Sequence, residues 1–193
     1  YKHFGKINLK DYIAKFIRFP LRFIKYFFIS VVNKYSRPKT ISNNILLDFI
    51  LISTGGVATT TLIQYLKLYK KLNNENDQDG YKHLNKFPSI ENKNIKIIYI
   101  YGDYVKIYNS LKRRKIFQTQ VVKLGCPLCY LLKGKLEKYF FERCIKKQIV
   151  NFKNKHNVMT LEFDDIWKKK EEIKNFLEID SNNFIKNFPL RNK

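Results

Sequence analysis

The stretch Ile52 to Leu66, ISTGGVATTTLIQYL, sets two adjacent glycines and three consecutive threonines between an apolar run, ILLDFILI, and a helical pattern. Gly55 and Gly56 permit a sharp turn and close approach of the backbone to a ligand. A helix opening behind them offers unpaired N–H groups and the positive end of its dipole to an anion. The backbone of Gly55, Gly56, Val57 and Ala58, with the hydroxyls of Thr59, Thr60 and Thr61, is therefore a candidate anion cradle. Its spacing is not G-x-x-x-x-G-K-[ST], because Thr60 and Thr61 stand where the second glycine and the lysine belong. A glycine turn capped by threonine also has a purely structural reading, since Thr is a common N-cap.

A second group with chemical potential is Cys126-Pro-Leu-Cys129, at redox or zinc spacing. Cys144 and His156 lie far downstream without the usual ligand spacing, so ordinary buried thiols are the preferred reading and no metal is expected.

The elements around the glycine turn read as follows. Ile45 to Ile52 is a strand of buried, parallel-sheet type, because its apolar residues do not alternate with polar ones. Thr59 to Leu72 is a helix with Leu62, Ile63, Leu66 and Tyr69 on one face, and NNENDQDG is a polar surface loop. NIKIIYIY is a second strand of the same buried kind, followed by a helix over Val105 to Arg114. A long Lys-rich helix covers Gly134 to Asn154, NVMTLEFDDI is a third strand, and KKKEEIKNFLEI is a last helix. This alternation predicts an α/β domain, a three-layer sandwich around a central parallel sheet. Ligands of such sheets sit beyond the carboxyl ends of the strands, where STGGVATTT lies.

The length of 193 residues accommodates one domain with a full core. Residues 41–193 are assigned to it, and residues 1–40 to a basic amphipathic helical segment and a linker, NKYSRPKTISNN. With 45% hydrophobic and 16% aromatic residues the chain is a folded globule. The chain starts at Tyr1 rather than Met, which leads us to expect a preceding segment. Its 38 Lys+Arg against 16 Asp+Glu give a net charge of +22, which attracts polyanions, phosphorylated ligands and acidic membrane surfaces. Abundant Lys, Asn and Ile also match codon drift in an A- and T-rich genome. Scattered Lys, without clustered Arg and aromatics, disfavours a nucleic-acid partner. Three cysteines, an odd count, favour a reducing compartment such as the cytoplasm. In residues 12–32, Lys15, Arg18, Arg22 and Lys25 recur at helical spacing opposite many aromatics. No run approaches the roughly 20 apolar residues of a spanning helix. The segment either packs on the domain, or lies on an anionic membrane surface or binds a partner.

The order of these pieces resembles the sulfotransferase family, P-loop NTPase-like α/β enzymes that use 3′-phosphoadenosine 5′-phosphosulfate (PAPS). GGVATTTLI stands where that family has P-K-S-G-T-T or G-x-x-x-S-G-T-[ST]. IIYIYGDYVKIYNSLKRR stands for a strand ending in R-D-P, with Ser110 eight residues after Gly102. VMTLEFDDIWKKKEEIKNFLEI matches a strand ending Y-E-D-L, then a helix ending F-L-x-[IV]. The resemblance spans roughly residues 45–179. It implies that Gly55 to Thr61 hold the 5′-phosphosulfate and that Ser110 binds the 3′-phosphate. It makes His83, in YKHLNKFP, the candidate base by likeness to a K-T-H-L-P segment. An unperturbed imidazole titrates near pH 6.5, where a general base works well.

Two cations that the family uses are replaced here. The loop Lys or Arg is Gly56 or Val57, and the Arg of R-D-P is Gly102. Lys106, Arg113 and Arg114 are the nearest candidates to stand in. The implied activity is sulfuryl transfer to a hydroxyl of a small-molecule, carbohydrate or lipid acceptor. Two alternatives are a non-catalytic relative that binds a nucleotide or anion in the same loop, and a basic protein that binds nucleic acid or a membrane surface.

Overall fold

In the computed structural model, which describes residues 24–42, 46–55, 59–91 and 94–190, the apolar runs pair into a parallel sheet. The first elements are α1 (residues 24–35), β1 (Thr40–Ile41), β2 (Phe49–Ser53), α2 (Thr59–Leu66), β3 (Ser89–Ile90) and β4 (Lys96–Tyr101). There follow α3 (Tyr104–Arg113), α4 (Phe117–Lys123), α5 (Pro127–Leu131), α6 (Gly134–Phe152), β5 (Val158–Glu162), a 3-10 turn at Phe163–Asp165, α7 (Lys170–Phe176) and α8 (Asn183–Lys186). The main sheet has the order β2-β4-β5, all parallel, and β1 and β3 form a separate parallel pair. The chain is thus of the α/β class.

Both faces of β2 and β4 are covered, which is why Phe49 to Ile52 and Ile97 to Ile100 form unbroken runs of buried, largely apolar residues. Phe49 and Leu51 of β2 share one face with Ile98 and Ile100 of β4, packed against Leu62, Ile63 and Leu66 of α2, Ile107 and Leu111 of α3, and Phe141 and Ile145 of α6. Ile50, Ile52, Ile97 and Tyr99 turn to the other face, where Ile41, Tyr81 and Phe152 cover them. There the Tyr99 and Phe152 rings stack with centroids 4.3 Å apart.

Several boundaries differ from the sequence expectation. Leu46 and Leu47 precede the strand rather than join it, and Leu46 is exposed. Ile45 lies outside the described residues. The helix expected to reach Leu72 ends at Leu66, and a turn through Lys70 sends the chain back along the sheet edge. Leu72 bridges Phe49, and the buried Asn73 amide accepts from Leu51 N (2.8 Å) and donates to Leu51 O (3.0 Å). Covering the backbone of an edge strand outweighs another turn of helix, because an unpaired buried amide or carbonyl costs about 1–3 kcal/mol. Helices α4 and α5 were not anticipated. Gly125 and Pro127 punctuate this stretch into turns too short for a 3.6-residue period to show.

Within α1, Ser30 is buried and Asn33 Nδ2 donates to Val122 O at 2.9 Å, while Asn85 Nδ2 donates to Asn33 O at 2.7 Å. Ile24, Phe28, Val32 and Tyr35 face outward. The rest of the segment singled out as membrane-directed, residues 12–23, lies outside the described residues. Among the described residues no helix is long and apolar enough to cross a membrane.

Candidate functional site

At the carboxyl end of β2 the chain runs from the sheet into the glycine turn. Thr54 N donates to Ile100 O of the neighbouring strand at 3.2 Å, and Gly55 takes φ +82°. That left-handed conformation strains any residue with a Cβ. Space is also closed, because a Cβ on Gly55 would lie 2.4 Å from Nε2 of Gln120, whose amide donates to Thr54 O at 3.2 Å. Helix α4 therefore clamps the turn from behind. Gly55→Ala is expected to lower stability by about 2 kcal/mol, from backbone strain and overpacking together. Urea denaturation measures it.

Gly56, Val57 and Ala58 lie outside the described residues. Beyond them α2 opens with Thr59, buried, its Oγ1 3.5 Å from Ser53 Oγ. Thr60 and Thr61 are exposed at the helix start. Thr54 Oγ1 is buried without a hydrogen-bond partner, an unused donor next to the turn.

A cation reaches the helix start from elsewhere in the chain. Lys82, 6% exposed, donates from Nζ to Thr60 Oγ1 at 3.0 Å and to Glu75 O at 2.6 Å. Burial lowers its pKa, opposed by the Asp77 carboxylate and reinforced by the Lys123 ammonium. A lysine is rarely so buried without a charge to meet.

The segment expected to be a plain surface loop is what holds Lys82 there. Asp77, at φ +60°, accepts Lys82 N at 2.9 Å through Oδ1 and pairs with Lys123 of α4 through Oδ2. Asp79 accepts the amides of Asn74 and Tyr81. Asn74 Oδ1 accepts Asn76 N at 2.7 Å. These short side chains bind backbone amides that a loop would otherwise leave to water. Lys82 O in turn accepts Ser53 N at 2.7 Å, docking the segment against the end of β2.

His83 follows directly and is partly buried. Its Nδ1 lies 3.1 Å from Ser53 O and 3.4 Å from Ser53 Oγ. A carbonyl oxygen only accepts, so Nδ1 carries the proton and the neutral ring keeps its free lone pair on Nε2. Burial pushes its pKa down from 6.5 to about 4, only partly offset by the Ser53 carbonyl and Asp77. The expectation of an ordinary imidazole near 6.5 is thereby corrected: this ring is neutral at pH 7.

On the far side of β4, Asp103 caps α3 by accepting Lys106 N at 2.9 Å. Ser110 is half-buried on α3, and the Arg114 side chain folds back so that Nε lies 3.4 Å from Ser110 O. The Arg114 charge is felt at Lys82, which it disfavours as a cation. Arg113 is exposed in the last turn of α3. Lys106, offered as a stand-in cation, instead pairs with Asp164 at 2.9 Å. The site thus gathers Thr59, Thr60, Lys82 and His83, with Lys123 joined to it through Asp77, whereas the contact of the Arg114 side chain is with Ser110 O on α3.

Sequence reasoning missed Lys82, Asp77, Gln120 and Lys123. Lys82 is the neighbour of His83 in YKHLNKFP, yet one lysine among so many carries no signal until its burial is known. Comparison with known proteins finds no matching family model, no matching curated relative and no matching solved structure.

Proposed function

We propose that the chain is a sulfotransferase-like enzyme on a P-loop-like, three-layer α/β scaffold, and that its anion site uses a lysine borrowed from residues 73–83. The observation that carries this reading is the buried Lys82 ammonium on Thr60 Oγ1. A buried cation beside exposed hydroxyls at a helix start is a site for a phosphate or sulfate ester, since charge-assisted hydrogen bonds are the strong ones in such surroundings.

The residues present fit PAPS. The unpartnered Thr54 hydroxyl, the exposed Thr60 and Thr61, and Lys82 and Lys123 would provide donors and positive charge for the 5′-phosphosulfate. Ser110, with Arg113 and Arg114 beside it, would hold the 3′-phosphate. When bound, the cofactor supplies the sulfuryl group, whose bond to the phosphate oxygen breaks as its bond to the acceptor oxygen forms. Lys82 would offset the negative charge left on the phosphate oxygen by the departing sulfuryl group. His83 Nε2 would take the proton of the acceptor hydroxyl, its ring held by the bond from Nδ1 to Ser53 O. An anion seated on Thr60 favours imidazolium and raises the pKa of His83 toward neutrality, improving the base only while the site is filled.

Calorimetry with 3′-phosphoadenosine 5′-phosphate, the desulfated cofactor, tests the reading. Micromolar binding at low salt is expected, with loss of roughly tenfold or more in the Thr59→Ala/Thr60→Ala variant, about 1.5 kcal/mol of hydrogen bonding. Absence of binding by the native chain overturns it. Inorganic phosphate bound as tightly as the nucleotide would point instead to a plain anion site.

A further inference from the structure

The CPLC motif is absorbed by nothing above, and the fold changes what it means. Cys126 closes the turn after α4, Cys129 lies in α5, and Cys144, eighteen residues after Cys126 in sequence, projects from α6 against the same point. The three sulfur atoms all lie within 4.8 Å of one another. The sequence reading set Cys144 aside for its spacing; packing of α5 on α6 brings it to the pair.

Geometry points to a metal site here: we infer that reduced Cys126, Cys129 and Cys144 bind one soft divalent cation, zinc by preference, with a fourth, external ligand. Three sulfurs around an ion with Zn–S bonds of about 2.3 Å stand roughly 3.8 Å apart, so small side-chain rotations suffice. Soft thiolates with no carboxylate among the described neighbours select zinc-like ions over magnesium or calcium. Among the described residues no fourth His, Cys, Asp or Glu completes the set. Three protein ligands with one position left open is the arrangement of an accessible zinc ion rather than a closed structural one.

A cavity of about 340 Å³ borders Cys126 and Cys144 and admits that fourth ligand. Lys34, Arg143 and Lys147 line it. Three thiolates and a divalent ion sum to one negative charge, which these cations balance. Burial raises the free Cys144 thiol to about 11, so without an ion it stays protonated. A bound cation removes that proton outright.

In the structure Cys126 and Cys129 are joined by a disulfide. An external dithiol reduces it, giving up two electrons and two protons to the two sulfurs and leaving as its own disulfide. The ion then replaces three thiol protons.

The experiment uses the full chain, reduced with excess dithiol, exchanged anaerobically and titrated with Co(II), then Zn(II). Expected are one ion per chain, thiolate-to-cobalt charge-transfer absorption with tetrahedral ligand-field bands, and displacement by zinc. Cys144→Ser is expected to weaken binding at least 100-fold. No ion bound at micromolar concentration, or equal affinity in Cys144→Ser, overturns the inference. Should that variant fail to fold, alkylation of the native reduced chain decides. Zinc is expected to protect all three cysteines together, and protection of Cys126 and Cys129 alone refutes a three-thiolate site.

Discussion

Lys82→Met is expected to weaken binding of 3′-phosphoadenosine 5′-phosphate by roughly 100-fold, about 3 kcal/mol, while leaving the protein at least as stable as before. The two halves of this result belong together. A buried ammonium makes charge-assisted hydrogen bonds to an anion, and losing it forfeits them. In the protein without ligand the same ammonium is a burden, because burial already depresses its pKa. Methionine keeps the aliphatic volume and removes the desolvated charge, a change that is often neutral or stabilising. Glu75, whose carbonyl loses its donor, is itself only partly buried. Isothermal titration and thermal unfolding of the same variant separate this from a structural role. If Lys82 merely stitches Glu75 to Thr60, the variant loses stability and keeps its affinity. Lys82→Arg tests geometry in turn, since the wider guanidinium does not fit the slot of an ammonium 2.6 Å from a carbonyl.

Loss of the imidazole has the second large effect. His83→Ala is expected to lower the rate of sulfuryl transfer by 100-fold or more, the usual contribution of a positioned base being about 10²–10⁴. Affinity for the desulfated cofactor is expected to stay within about twofold, since the ring is bonded to the protein and not to the cradle. A variant that transfers at the native rate removes His83 from the mechanism.

The same residue makes stability depend on acid. Burial lowers its folded pKa to about 4 from 6.5, so between these values the unfolded chain binds more protons than the folded one. Its contribution is complete above pH 6.5, is lost as pH falls, and is gone near pH 4. The size is about 3 kcal/mol from a shift of this extent. Urea unfolding of the native chain and His83→Gln across pH 4–7 is expected to show a flatter profile in the variant. Proton NMR of the ring during addition of the desulfated cofactor is expected to show the pKa moving upward.

How much of the site was legible beforehand follows from the range of the interactions that build it. Gly55, Thr59, Thr60 and Thr61 were found because turn and helix start are local, encoded in consecutive residues. His83 was found through the resemblance of its segment, and its role remains a proposal. What could not be read was its environment: the lowered pKa comes from burial beneath Ser53 and the 73–83 segment, which is a property of packing. Lys106 illustrates the reverse error. It follows β4 closely in sequence, yet Asp164 from the end of β5 holds it.

The chain's alternation of buried strands and helices, the parallel sheet it implies and the glycine-threonine turn at a strand end were determined by sequence alone, because periodicity and turn chemistry act over a few residues. Only the tertiary structure decided which cation meets that turn and which third sulfur meets the CPLC pair. Lys82 reaches Thr60 across twenty-two residues, and Cys144 joins Cys126 across eighteen. Such meetings are set by which faces of the sheet and helices bury together, so no spacing rule contains them. With 38 lysines and arginines to choose from, composition could say only that positive charge was plentiful. Among the described residues burial singled out the Lys82 ammonium, held on Thr60 Oγ1 and the Glu75 carbonyl.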